Sequence, residues 1–181
     1  MTRFCALLIA FALPLALCAQ DKKDEKKEDK KGVDFTSKEG KFSVTLPSKP
    51  KEQSNKIPTD AGEVDAHMFL VDLKDRAYLV SYNDYKAGSV GANTEKVLGG
   101  VVDGSARGVK GKLVKDEKIT LGEKKYPGHD ITIELPGNQG FYRAKVYLVG
   151  DRLYQVVALG PDEFIKSKPV EEYFKSFKLA E

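Results

Sequence analysis

The stretch Gly140–Gly160, GFYRAKVYLVGDRLYQVVALG, decides how the rest of the chain is read. Two runs rich in β-branched and aromatic residues flank Gly150-Asp151. Glycine suits the first loop position of a type II′ turn, which needs positive φ there, so the stretch predicts a β-hairpin with a two-residue loop. The pairing follows from that loop. Val149 faces Arg152, Leu148 faces Leu153, Tyr147 faces Tyr154, and so on to Tyr142 against Leu159. Directly paired residues share a face, which sorts the hairpin into two sides. One side carries Tyr142, Ala144, Val146 and Leu148 with Leu153, Gln155, Val157 and Leu159; being apolar, it is expected to lie under a helix. The other carries Arg143, Lys145, Tyr147 and Val149 with Arg152, Tyr154, Val156 and Ala158, a mixture of cations, tyrosines and small apolar groups. A slip of one residue would exchange the sides, and their contrast argues against it.

Upstream of the hairpin, the strand pattern continues. Val33–Thr36 and Lys41–Leu46 read as short strands around the turn Ser37–Gly40, ended by Pro47 and Pro50. Lys51–Gly62 is polar and is expected to be loop. Glu63–Leu73 and Arg76–Asp84 form a second hairpin across Lys74-Asp75, with Phe69, Val71, Tyr78, Val80 and Tyr82 on one face. Asn93 is a good helix N-cap, and Val97, Leu98, Val101, Val102, Ser105, Ala106 and Val109 recur at helical spacing behind it. Gly99, Gly100 and Gly104 weaken that helix, so either they let it sit close on the sheet or it is marginal alone. Lys112–Leu121 and Lys125–Leu135 lead as strands into the central hairpin. Ser167–Phe177, with Pro169 in its first turn and Val170, Tyr173, Phe174 and Phe177 as its stripe, predicts a closing helix over the apolar side of the hairpin. With no βαβ alternation the sheet is expected to be antiparallel and the class α+β, with helices packed on the sheet faces.

The first 32 residues read as something else. Residues 1–19 read as a secretory signal: Arg3 supplies the charge, and Phe4–Leu17 is an uncharged apolar run too short to span a bilayer comfortably. Cys18, after Leu15-Ala16-Leu17, hints at lipidation and a membrane tether, although Leu17 is larger than the residue usual before a lipidated cysteine. Residues 20–32 include DKKDEKKEDKK, all charge with no apolar face, and read as a solvated linker. Residues 33–181 make one domain of about 150 residues, enough to bury roughly 70% of its unfolded surface. Both cysteines, Cys5 and Cys18, lie in the leader, so the domain rests on an ordinary core rather than on disulfides. Dropping Arg3 from the formal net charge of +3 leaves about +2, which points neither to nucleic acid nor to an acidic partner. The expected product is exported, periplasmic or extracellular, monomeric and without a transmembrane span once the signal is removed.

This layout resembles the PsbP-like and Mog1-like α/β/α sandwich. The likeness is carried by Gly40-Lys41-Phe42-Ser43-Val44-Thr45-Leu46-Pro47, the single mid-chain helix, Tyr126-Pro127-Gly128-His129-Asp130, the Arg143–Tyr154 hairpin and Phe174-Lys175-Ser176-Phe177. The chain is also similar to exported bacterial proteins built of a signal, a charged linker and one such domain. The resemblance implies an accessory or binding role. PsbP proteins of photosystem II are linked to calcium and chloride retention, but no residue pattern here transfers that role.

The chemistry-bearing motifs are few. There is no HExxH, no P-loop and no GxGxxG after a strand, and no pattern calls for a cofactor or a metal. Gly104-Ser105-Ala106-Arg107-Gly108 is not a nucleophile elbow, because it reads as helix. Asp72, Asp75 and Asp84 lack calcium-loop spacing and read as solvated turn carboxylates. His67 falls opposite Tyr82 and reads as a packed or edge histidine. His129 sits beside Asp130, yet neighbours on a strand point to opposite faces and do not converge. The remaining candidate is the mixed hairpin side, Arg143, Lys145, Tyr147, Arg152 and Tyr154, where cations interleaved with aromatics suit an anion, a glycan or a protein partner. The bland alternative is an ordinary outer sheet face, with Lys and Arg stems lying over the tyrosine rings. The leading functional expectation is a non-enzymatic accessory or binding domain for an envelope protein or polymer, working through an open sheet face. A small hydrolase or isomerase using His129 and carboxylates, and a structural envelope protein, are the alternatives.

Overall fold

A computed structural model describes residues 32–59 and 62–180. The expected signal, all but the last residue of the expected linker, and Cys18 lie outside the described residues. The domain contains β1 (Val33–Ser37), β2 (Phe42–Leu46), β3 (Lys51–Thr59), β4 (Gly62–Leu73) and β5 (Arg76–Asp84). Then come α1 (Thr94–Gly108), β6 (Lys112–Leu121), β7 (Tyr126–Glu134), β8 (Phe141–Val149) and β9 (Arg152–Gly160). It closes with α2 (Asp162–Ile165), α3 (Lys168–Ser176) and β10 (Lys178–Leu179). Seven strands form the main sheet in the order β3-β4-β5-β9-β8-β7-β6, and β1-β2-β10 form a second, smaller one. Every pairing is antiparallel, so the class is α+β as the pattern implied.

The central hairpin has the register read from its turn, from Val149 against Arg152 to Tyr142 against Leu159. Gly150 carries the positive φ of +62° that the loop demands. β9 continues outward to β5, where Tyr154 faces Tyr82 and Val156 faces Val80. The apolar hairpin side forms one core with Ile131 and Ile133 of β7 and Leu98 and Val102 of α1. α1 therefore covers this side, and the closing helix does not.

The closing segment covers the mixed side instead. Phe164, Ile165, Val170, Tyr173, Phe174 and Phe177 join Tyr147, Tyr154, Val156 and the small-sheet residues Phe42, Val44 and Leu46 in a second core. The Tyr147 and Phe177 rings stack at 6.1 Å and 3°. Tyr173 Oη donates to Leu79 O at 2.8 Å, and Thr45 N donates to Ser176 Oγ at 2.9 Å, which ties α3 to both sheets.

Two further departures have local causes. Lys51–Thr59 is a strand rather than a loop, paired along its whole length with β4. Residues 51–56 are exposed on both faces of the sheet, so no buried face imposes apolar alternation on them. The glycines of α1 do not bring the helix close to the sheet: a Cβ at Gly99, Gly100 or Gly104 would meet nothing within 4 Å. Asn93 holds the N-cap position without a side-chain capping bond. No helix among the described residues is long and apolar enough to cross a membrane.

Candidate functional site

The five residues expected to form a binding face do not form an open one. Tyr147 and Tyr154 are buried at 5% and 2% exposure. Arg143 lies between Asp130 and Glu171, also donates to Ile165 O, and covers the Phe174 ring at 5.0 Å. Lys145 lies over the same ring at 5.4 Å. Arg152 binds Asp84 with two hydrogen bonds, 2.6 and 2.7 Å, and lies 4.5 Å over the Tyr82 ring. The physical reason is local: the tyrosines sit where other elements dock, and beside them Arg143 and Arg152 neutralise carboxylates of β7, α3 and β5.

Tyr154 and Arg152 have another task. The turn between β1 and β2 bends over the main sheet, and Tyr154 Oη donates to Gly40 O at 2.7 Å while Arg152 Nη1 donates to Glu39 O at 2.8 Å. Gly40 N donates to Ser37 Oγ at 3.0 Å, closing the turn on itself. A Cβ on Gly40 would meet Phe42 Cε1 and Tyr82 Cε1 at 2.7 Å, so only glycine lets the turn approach this closely.

The bent turn and the β3–β5 end of the main sheet enclose a cleft of about 310 Å³. Glu39 overhangs it, Glu52 and Ser54 line its β3 wall, and His67, Phe69 and Tyr82 line its floor. His67 stacks on Tyr82 at 4.6 Å and 12°, as their paired register implies. Ser54 Oγ and His67 Nδ1 are 2.9 Å apart, which fixes the ring about both axes and leaves Nε2 outside this contact. Burial, with Glu39 adding to it, pushes the Tyr82 hydroxyl up to about 12, so this phenol stays neutral. Arg152 holds the Asp84 carboxyl below its usual range through their hydrogen bonds.

His129 occupies a different place. It and Asp130 point to opposite faces as expected: His129 shares a face with Val146 of the α1 core, whereas Asp130 meets Arg143 on the other side. Its carboxylate comes instead from the neighbouring strand, where Asp116 Oδ1 lies 2.5 Å from Nδ1. No motif announces this pair, since a β-bulge between Leu113 and Lys115 sets the β6–β7 register. Ser54 and Glu52 escape a reading of the sequence because β3 has no apolar rhythm. Among the described residues no group of three or more His, Cys, Asp or Glu side chains is placed to hold a metal ion.

A three-layer α+β domain in which one helix covers one sheet face and a small sheet with terminal helices covers the other is the PsbP-like architecture. The solution structure of cyanobacterial PsbP (CyanoP) from Synechocystis sp. PCC 6803 is similar, with a TM-score of 0.55 over 92% of this chain and 99% of that chain, at 11% identity. At that identity the likeness is one of fold. No protein-family model and no curated protein sequence matches the chain.

Proposed function

We propose that this protein is an exported accessory domain that binds a ligand or partner, without catalysis, at the cleft beneath the Ser37–Gly40 turn. The observation that carries the reading is the cleft itself. Two sheets meet there around an imidazole already fixed by Ser54 and Tyr82, at a rim of charged side chains. Pre-set donors in a concave site at the junction of two layers suit recognition, because little side-chain freedom is lost on binding. Export and envelope location rest on the leader, with Cys18 as the proposed tether and residues 20–32 as the spacer.

A photocrosslinking residue at position 38, which also lines the cleft, compared with one at Glu172 on α3, tests this in the native cell envelope. A defined adduct at position 38 that His67→Ala removes supports the cleft. Equal labelling at both positions, or an adduct indifferent to His67→Ala, sinks it.

The Asp116–His129 pair favours a second reading, a small hydrolase or isomerase. An imidazole whose Nδ1–H is held by a carboxylate presents Nε2 as a base. Catalysis would require turnover that His129→Gln abolishes in a variant retaining the native melting temperature.

A further inference from the structure

β3 is the outer strand of the main sheet, and no strand lies beyond it among the described residues. Residues 51–56 are exposed, and β3 pairs with β4 without a bulge through them, up to Pro58, which has no N–H to give a ladder and limits the open edge to this stretch. The opposite edge is different: β6 is broken by the bulge between Leu113 and Lys115, a common way of blunting an edge. A regular, exposed edge is a template for another strand.

We infer that the strand added there is β3 of a second copy of this chain, antiparallel across a two-fold axis through Ser54. A two-fold axis perpendicular to the sheet keeps the same face of both copies on the same side. Directly opposed residues share a face, so their numbers must both be even or both be odd. Few axes satisfy this within residues 52–56. An axis on Glu52 or Lys56 opposes like charges, and one on Gln53 or Asn55 does not bring Glu52 and Lys56 together. An axis on Ser54 sets Glu52 against the partner's Lys56 and Lys56 against the partner's Glu52, with Gln53 and Asn55 opposed between them. Cross-strand opposite charges stabilise a pairing, and here each appears twice by symmetry.

The row of charge extends further. Lys56 lies opposite Asp65 in β4, so the partner's Glu52, Lys56 and Asp65 alternate in sign across three strands. Glu52 also lines the cleft, so the partner's Lys56 completes the charge at its rim, and the two clefts come to lie on either side of the axis. The interface is a single strand pair, which makes association weak and dependent on concentration.

Sedimentation velocity over a concentration series tests this with three proteins. The wild type self-associates into a dimer. Glu52→Lys opposes lysines twice and Lys56→Glu opposes glutamates twice, so each alone dissociates roughly tenfold or more readily. Both positions are exposed to solvent, and circular dichroism checks that each variant keeps its fold. Mixing the two variants restores a heterodimer. The lysine introduced at position 52 of one then meets the glutamate introduced at position 56 of the other, and a native Lys56 meets a native Glu52. A wild type that stays monomeric at every concentration overturns the inference. So does a dimer indifferent to both substitutions, or a mixture that fails to recover.

Discussion

At the scale of single residues, Arg143 shows how a side chain that looks like a binding group becomes part of the framework. Its side chain is 13% exposed and that of Asp130 8%, so the pair lies largely out of water, with Glu171 and the face of Phe174 completing the enclosure. Removing one member of such a pair leaves a charge without its partner in a poorly hydrated place. Arg143→Met is expected to cost about 3 kcal/mol, read from the urea midpoint, with Lys115 at 3.5 Å from Asp130 offsetting part of the loss. Replacing both, Arg143→Met with Asp130→Leu, recovers most of that stability. An Arg143→Met variant as stable as wild type would mean that the ion pairs of Arg143, to Asp130 of β7 and Glu171 of α3, contribute nothing net to the fold. His129 makes the same point from the other side. Its chain neighbour Asp130 lies on the opposite face, as strand alternation requires, and the sheet gives it Asp116 from the strand beside it.

At the scale of elements, α1 is the informative case. Its buried stripe, Leu98 and Val102, is what the helical spacing showed, while its glycines have no packing role at 99, 100 and 104. Glycine inside a helix costs about 0.5–1 kcal/mol relative to alanine, through the freedom it has in the unfolded chain. Gly99→Ala, Gly100→Ala and Gly104→Ala are therefore each expected to stabilise by up to that amount and to raise the melting temperature. A loss of stability at any of the three would show that a contact partner lies against the helix there. β3 and the closing helix teach the complementary lesson. A polar edge strand has no periodic signature, and a helix with one apolar stripe does not declare which of two apolar surfaces it will meet.

At the scale of the whole molecule, two cores lie on opposite faces of one sheet, and each contains a tyrosine whose hydroxyl burial has pushed up to about 12: Tyr142 under α1 and Tyr147 under the terminal segment. The ordinary tyrosine value in the unfolded chain is about 10. The fold therefore favours the protonated form, and the stability this gives is complete below about pH 10 and lost as pH rises from there toward 12. At roughly 2–3 kcal/mol for each tyrosine, both cores weaken together, so the domain is expected to unfold cooperatively in that window with tyrosinate absorbance rising alongside the loss of circular dichroism. Tyr142→Phe should move the alkaline midpoint upward. Tyrosinate equivalent to all eight tyrosines appearing near pH 10 while the fold persists would contradict the burial of these hydroxyls.

By itself the sequence determined what is local. The central hairpin and its register, the hairpin of β4 and β5, α1, the antiparallel α+β class and the likeness to PsbP were all legible in it. Turn chemistry and the two-residue alternation of a strand act between neighbours in the chain, where the pattern records them directly. Only the tertiary structure decided which helix covers which face, that Lys51–Thr59 pairs as an edge, that β10 joins β2, and that Tyr147 and Tyr154 are core rather than surface. It also placed Ser54 against His67 and Asp116 against His129. Those outcomes depend on surfaces meeting from distant parts of the chain. Apolar surface is attracted to any apolar surface without direction, so the burial pattern of a segment shows that it will be covered but not by what.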